Sequence, residues 1–197
     1  KFGLGNATQM YFSQPSKDKF LVETQLYLRK LFENYAANKK IHKIVLDQAI
    51  SPTNIKKTLQ YFDNSKLIIV DRDPRDIYAN MIHQKMFLGA DVLDDDSVYK
   101  YIEWHRAVRK QTTQDIDDIF IKDRVLRLNF EDFFLHYERT IKDIKKFLSV
   151  DFNHKDKGVK FRCESVDEHV GIWKNMPEQD IMAYIGKELS EYCFIDV

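Results

Sequence analysis

The stretch Lys66 to Asn80, KLIIVDRDPRDIYAN, runs from a strand pattern straight into a helix start. Lys66 to Val70 is a continuous apolar run of strand length, the kind that a parallel sheet buries on both faces. Asp73 is placed to cap a helix and Pro74 to occupy its first position, with Ile77, Met81 and Leu88 along one face of about four turns. Arg72 therefore stands at the carboxyl end of a buried strand and directly before a helix N-terminus. Ligands of open α/β sheets bind at that edge, and the free N–H groups and dipole of the helix favour an anion. Arg72 adds a planar, permanently charged fork suited to phosphate oxygens. Asn80, two turns into the helix, can donate a further hydrogen bond if it faces the same way. The competing reading is that Arg72 pairs with Asp71, Asp73 or Asp76 and only staples the loop.

Upstream, Phe20 to Asn38 has helical spacing through Leu21, Leu28, Leu31 and Phe32, while Lys1 to Lys19 reads as irregular. Ile41 to Leu46, IHKIVL, is expected to be a strand. Ser51-Pro52 then reads as a cap and first helical position, with Ile55, Leu59 and Phe62 on one face. Downstream, Gly89 to Ser97 reads as an acidic loop. Its run Asp94-Asp95-Asp96 lacks the Gly and Glu that an EF-hand requires, so a solvated loop is expected. Ser97 is read as the cap of a helix through Tyr101, Trp104, Val108 and Gln111, and Val125 to Phe130 as a strand. Tyr137 to Val150 is amphipathic, with Ile141, Ile144 and Leu148 inward; a last helix opens at Pro177-Glu178. Strands alternating with helices imply a parallel sheet covered on both faces.

The 197 residues are one domain's worth of sequence, with 44% hydrophobic residues. Lys plus Arg number 31 and Asp plus Glu 31, so a broad basic face for nucleic acid is not expected and any anion site must be concentrated. Cys163 and Cys193 lack metal-ligand spacing and the six histidines stand singly, which argues against a metal site. No apolar run approaches the roughly 18 residues that cross a membrane, and no charged n-region followed by an apolar h-region is found, so neither secretion nor membrane insertion is expected from these residues.

The residues from Lys66 to Asn80 resemble the 3′-phosphate-binding strand, loop and helix of sulfotransferases. That pattern is an apolar strand, then R-D/N-P-R/K-D, then a Ser eight positions after the first Arg. Arg72 matches the Arg, and Asn80 stands where Ser is usual. VLRLNFEDFF, Val125 to Phe134, followed by a helix ending KKFLSV, is similar to the family's strand carrying Y-E-D and its F-L-G helix end. GIWKN, Gly171 to Asn175, followed by PEQ resembles its G-x-W-K segment, which lies over the adenosine 3′-phosphate. Without those neighbours Trp173 reads as a core aromatic and Lys174 as a surface charge.

The resemblance implies an α/β fold of three layers, a parallel sheet flanked by helices as in P-loop NTPases, over residues 1–197 as one domain. It implies 3′-phosphoadenosine 5′-phosphosulfate as sulfuryl donor, no metal, and Arg72, Asn80, Trp173 and Lys174 as donor-binding residues. The acceptor is a hydroxyl or amine on a glycan, lipid or small molecule that the sequence does not identify. The family's phosphosulfate loop, P-K/R-x-G-S/T-T-x-L/W, is not found. Gly3 to Thr8 lacks the basic residue and a preceding strand, so the first strand and loop are expected upstream of Lys1, or the chain is a noncatalytic nucleotide- or glycan-binding module. Asp47 is the one titratable residue of LDQAISP, where some members carry their base; it equally suits a hydrogen bond within the turn. Arg162, in the basic stretch from Lys157, is expected to add a phosphate contact or to be solvated. A nucleotide kinase would need a G-K-S/T loop, and there is none. A cytoplasmic location is the default expectation.

Overall fold

The structure, a computed structural model, describes residues 16–37, 39, 43–84, 95–118, 121–151 and 166–195. Two strands form its sheet: β1, Leu67–Asp71, and β2, Val125–Asn129, which run parallel with Leu67 opposite Val125 and Asp71 opposite Asn129. Parallel neighbours require a long crossover. Two helices supply it: α3, Pro74–His83, and α4, Asp95–Ile116. Before the sheet come α1, Lys17–Ala36, and the short α2, Ile55–Leu59. After it come α5, Asp132–Leu135, α6, Tyr137–Leu148, α7, Val166–His169, and α8, Gln179–Glu188, with a 3-10 turn at Ile172–Asn175. The chain is thus α/β, a parallel pair of strands flanked by helices.

Two apolar clusters hold these elements. Tyr78 and Ala79 of α3, Val98, Tyr101 and Ile102 of α4, Met176, and Met182, Ile185 and Leu189 at α8 bury one another. Ile55, Leu59 and Ile121 form the second, against Leu67 and Ile69 of β1. Residues of a strand alternate between faces, so Ile68 and Val70 lie on the other side, and Val70 is 48% exposed. The expected burial of β1 on both faces is therefore not met among the described residues. Arg124 closes the turn from α2 to β1, donating through Nε to the Ser65 carbonyl at 3.0 Å and through Nη2 to the Phe62 carbonyl at 2.7 Å.

Several boundaries differ from expectation. Residues 43–46 of the expected first strand pair with no described residue, and Val45 is 91% exposed. β-branched composition favours an extended backbone, but a strand forms only when a neighbour takes its N–H and C=O groups. Helix α2 begins at Ile55 rather than Pro52, because the Asn54 N–H closes a turn on the Ser51 carbonyl at 3.1 Å. Helix α3 ends at His83, short of the four turns expected, and Leu88 lies outside the described residues. Asp95 and Asp96 belong to α4 rather than to a loop, which puts Ser97 inside the helix. The buried stripe of α4 is Val98, Tyr101, Ile102, His105 and Thr112, one position away from the expected Trp104, which is 55% exposed.

Candidate functional site

Three separate segments converge on the first turn of α3. Asp73 caps the helix, its Oδ1 accepting the Arg75 N–H at 2.9 Å. A carboxylate at the third position of a helix ordinarily reaches back to the N–H of the cap residue. Here Glu131, just after β2, takes that N–H instead at 2.8 Å. Asp76 is thereby released to face the tail of the chain. Its Oδ2 accepts the Gly171 N–H at 2.8 Å and its Oδ1 the Trp173 N–H at 3.1 Å. The second oxygen of Asp73 accepts the Phe194 N–H at 3.1 Å.

The three carboxylates are nearly or wholly out of water. Burial raises the Asp76 carboxyl above the usual carboxylate range, opposed by the N–H groups of Trp173 and Gly171. Burial likewise raises Glu131, whose Oε2 has no hydrogen-bond partner among the described residues. The helix N-terminus that the sequence offers to an anion is thus already occupied in part by the protein's own acids.

Arg72 does not pair with them. Its Nη2 donates to the His169 carbonyl at 2.6 Å, and its guanidinium carbon lies 4.6 Å from the centre of the Phe130 ring. Phe134 backs that ring at 5.1 Å and His169 lies 5.0 Å from Phe134. The neighbouring carboxylates have other cations: Asp73 holds Arg75 through two side-chain hydrogen bonds, and Asp71 holds both Arg109 and Arg127. The loop-staple reading of Arg72 through Asp71, Asp73 or Asp76 is therefore overturned. A held guanidinium with a donor to spare is left at the end of β1.

Trp173 is half-buried in the turn before α8, with the Arg75 guanidinium carbon 4.0 Å from its ring centre. Gln179 closes that turn, its Nε2 lying 3.0 Å from the Trp173 carbonyl and 2.6 Å from that of Met176. Lys174 is exposed, its Nζ 5.9 Å from the Trp173 ring centre. Gly171 has φ +70°, and a Cβ there would lie 3.4 Å from the Lys174 side chain, so glycine suits both the backbone and the lysine beside it.

Asn80 lies one turn beyond Asp76 on the same stripe of α3, half-buried and without a side-chain hydrogen bond among the described residues. Arg72, Asn80, Trp173 and Lys174 are thus gathered around α3. Asp47 is not: it is exposed in the 43–50 segment, with no hydrogen bond or ion pair among the described residues, and the turn contact considered for it is not made. Arg162 lies outside the described residues.

The sequence reading missed Arg75, Asp76 and Glu131. The signal for Asp76 was present in Asp73-Pro74-Arg75-Asp76, a cap with an acid three residues later, but that pattern predicts a local bond rather than a contact across the fold. No group of His, Cys, Asp and Glu suited to a metal occurs among the described residues, nor a helix long and apolar enough to cross a membrane.

No curated protein and no solved structure matches the chain. A family model described as Sulfotransferase family matches residues 6–154, which include Asp47, Arg72, Asn80 and the whole of β2 but stop short of Trp173. With three quarters of its length covered by that match, the chain belongs to the sulfotransferase family.

Proposed function

We propose that the protein transfers a sulfuryl group from 3′-phosphoadenosine 5′-phosphosulfate to an acceptor hydroxyl or amine, and that Arg72 receives the donor's 3′-phosphate. Sulfuryl transfer breaks the sulfur–oxygen bond to the 5′-phosphate and forms one to the acceptor, which loses a proton; the other product is adenosine 3′,5′-bisphosphate. The observation that carries the reading is the setting of Arg72. It stands at the carboxyl end of β1, held by Phe130 and the His169 carbonyl and not by a carboxylate, so its charge is left for a phosphate to neutralise. Asn80, farther along α3, and Lys174, in the 171–175 turn, are assigned further donor contacts, and Trp173 the covering role over the adenosine 3′-phosphate. Arg162 remains a further contact in the same proposal.

A second reading, a nucleotide-holding module that transfers nothing, is favoured by the position of Asp47. No described residue makes the hydrogen bond or ion pair that would orient it as a general base requires. The acceptor stays unassigned in both readings.

Calorimetry decides the donor site. Wild type is expected to bind adenosine 3′,5′-bisphosphate at least tenfold more tightly than adenosine 5′-monophosphate, and Arg72→Ala to lose that preference with little change in melting temperature. Equal binding of the two nucleotides by wild type overturns the assignment. Incubation with the labelled donor and a panel of glycan, lipid and phenolic acceptors then separates transfer from binding alone.

A further inference from the structure

We infer that Asp76 is the positioning residue of the donor site: its carboxylate ties the 171–174 turn to α3 and so holds Trp173 and Lys174 where a 3′-phosphate bound by Arg72 would meet them. This rests on the donor-site reading above and adds a role that neither the ordered motifs nor the family match supplies.

The geometry is two hydrogen bonds accepted by one carboxylate from alternate N–H groups, that of Gly171 at 2.8 Å and that of Trp173 at 3.1 Å. Acceptance by both oxygens fixes the plane of the turn as well as its distance. A single 3-10 turn has few internal bonds to keep it in place. Here the Lys174 N–H reaches the Gly171 carbonyl and the Met176 N–H the Trp173 carbonyl, so the turn is closed on itself by Gln179 and anchored to α3 by Asp76. Further contacts along the same side of α3 agree. Arg75, adjacent in sequence, lies over the Trp173 ring, and Arg72 reaches the His169 carbonyl two residues before Gly171. Gly186 of α8 leaves room for Arg75, since a Cβ there would approach its side chain to 3.2 Å. Asp76 is wholly buried, so its charge is placed at a cost that a purely surface cap would avoid.

The substitution Asp76→Asn keeps the size of the side chain but turns one of the two acceptors into a donor facing an N–H. In a Trp104→Phe background, which leaves Trp173 as the one tryptophan of the chain, the variant is expected to show a red-shifted Trp173 emission and stronger acrylamide quenching without ligand. Its preference for adenosine 3′,5′-bisphosphate over adenosine 5′-monophosphate is expected to fall about tenfold, while affinity for the monophosphate stays within about twofold. A role in stability alone would lower the melting temperature and leave the ratio of the two affinities unmoved.

Wild-type preference for the bisphosphate with an unchanged ratio in Asp76→Asn overturns the role of Asp76 alone. Absence of preference in wild type overturns the donor-site reading, and the positioning role with it. If the variant does not fold, amide hydrogen exchange of wild type decides. The Gly171 and Trp173 amides are expected to be protected well beyond those of an irregular turn, and exchange of both at the rate of exposed amides overturns the tether.

Discussion

The helix that carries the candidate site and the helix that opens the described chain make opposite use of similar material. Helix α3 has ten residues, of which Pro74, Asp76, Tyr78 and Ala79 are buried. Helix α1 has twice that length and buries none. Both are amphipathic in sequence. The difference lies in what meets the apolar stripe: α3 is enclosed by α4, α8 and the 171–175 turn, whereas α1 touches its neighbours through single polar or aromatic contacts. Among the described residues these include Gln25 to the Gln60 carbonyl, Arg29 to Asp63, and Phe20 against Tyr61. Tertiary enclosure, rather than helix propensity, determines where stability concentrates.

The sharpest way to break this comparison is a pair of truncations. Ile185→Ala, in the cluster around α3, is expected to cost about 2–5 kcal/mol of unfolding free energy by urea denaturation, because it removes fully enclosed apolar volume. Leu31→Ala in α1, where the side chain is 46% exposed, is expected to cost less than about 1 kcal/mol. Equal costs would mean that α1 is enclosed as firmly as α3.

A second test uses protons. His105 lies against Tyr101 and Tyr192 in the α3 half of the molecule, 4% exposed, and burial together with the nearby Arg109 lowers its pKa to about 4. The unfolded chain takes up that proton near pH 6.5 and the folded chain only near pH 4, so stability falls as pH drops through that window. The loss reaches about 3 kcal/mol at its lower end. Urea midpoints at pH 7 and pH 4.5 are expected to separate wild type from His105→Gln, with the variant losing less on acidification. Parallel losses in the two proteins would remove His105 as the cause.

The smallest effect belongs to α1. Ser16 accepts the Lys19 N–H at 3.3 Å, and Ser16→Ala is expected to cost about 0.5–1 kcal/mol in the helix itself. That change should register as faster amide exchange at 17–20, with no shift of the cooperative transition measured at the core. A shift of the whole transition would join α1 to the cooperative unit.

Where local chemistry decided the structure, the sequence was readable. Asp73 and Pro74 set the start of α3 because capping and a fixed proline φ act within three residues, and both strands around the site follow from their apolar runs. The family was legible for the same reason, since its motifs are short and lie in order. The fate of Lys43 to Leu46 was not legible, because a strand is defined by its neighbour. On α4 Tyr101 faces inward as expected, but His105 takes the place expected of Trp104 because its ring packs against Tyr101 and Tyr192, which no periodicity count contains. Asp76 and Glu131 escaped notice as site residues because their partners are 95 and 58 positions away. The residues proposed to bind the donor lie at the end of β1, along α3 and in the 171–174 turn. The chemistry of that edge could be anticipated, and the tether that gathers it could not.

The order in which the chain is made bears on that tether. The first turn of α3 takes contacts from Glu131, from Gly171 and Trp173 and finally from Phe194, so Asp76 must wait for 95 to 97 later residues and Asp73 for 121. At about 5–20 residues per second of synthesis, several seconds separate the emergence of Asp76 from that of its partners. Over that interval water must serve as their provisional partner. Completion of this set of contacts is therefore a late event, and any premature stop before residue 171 would yield a chain that has every residue of the Arg72 motif yet lacks the two N–H groups that Asp76 accepts.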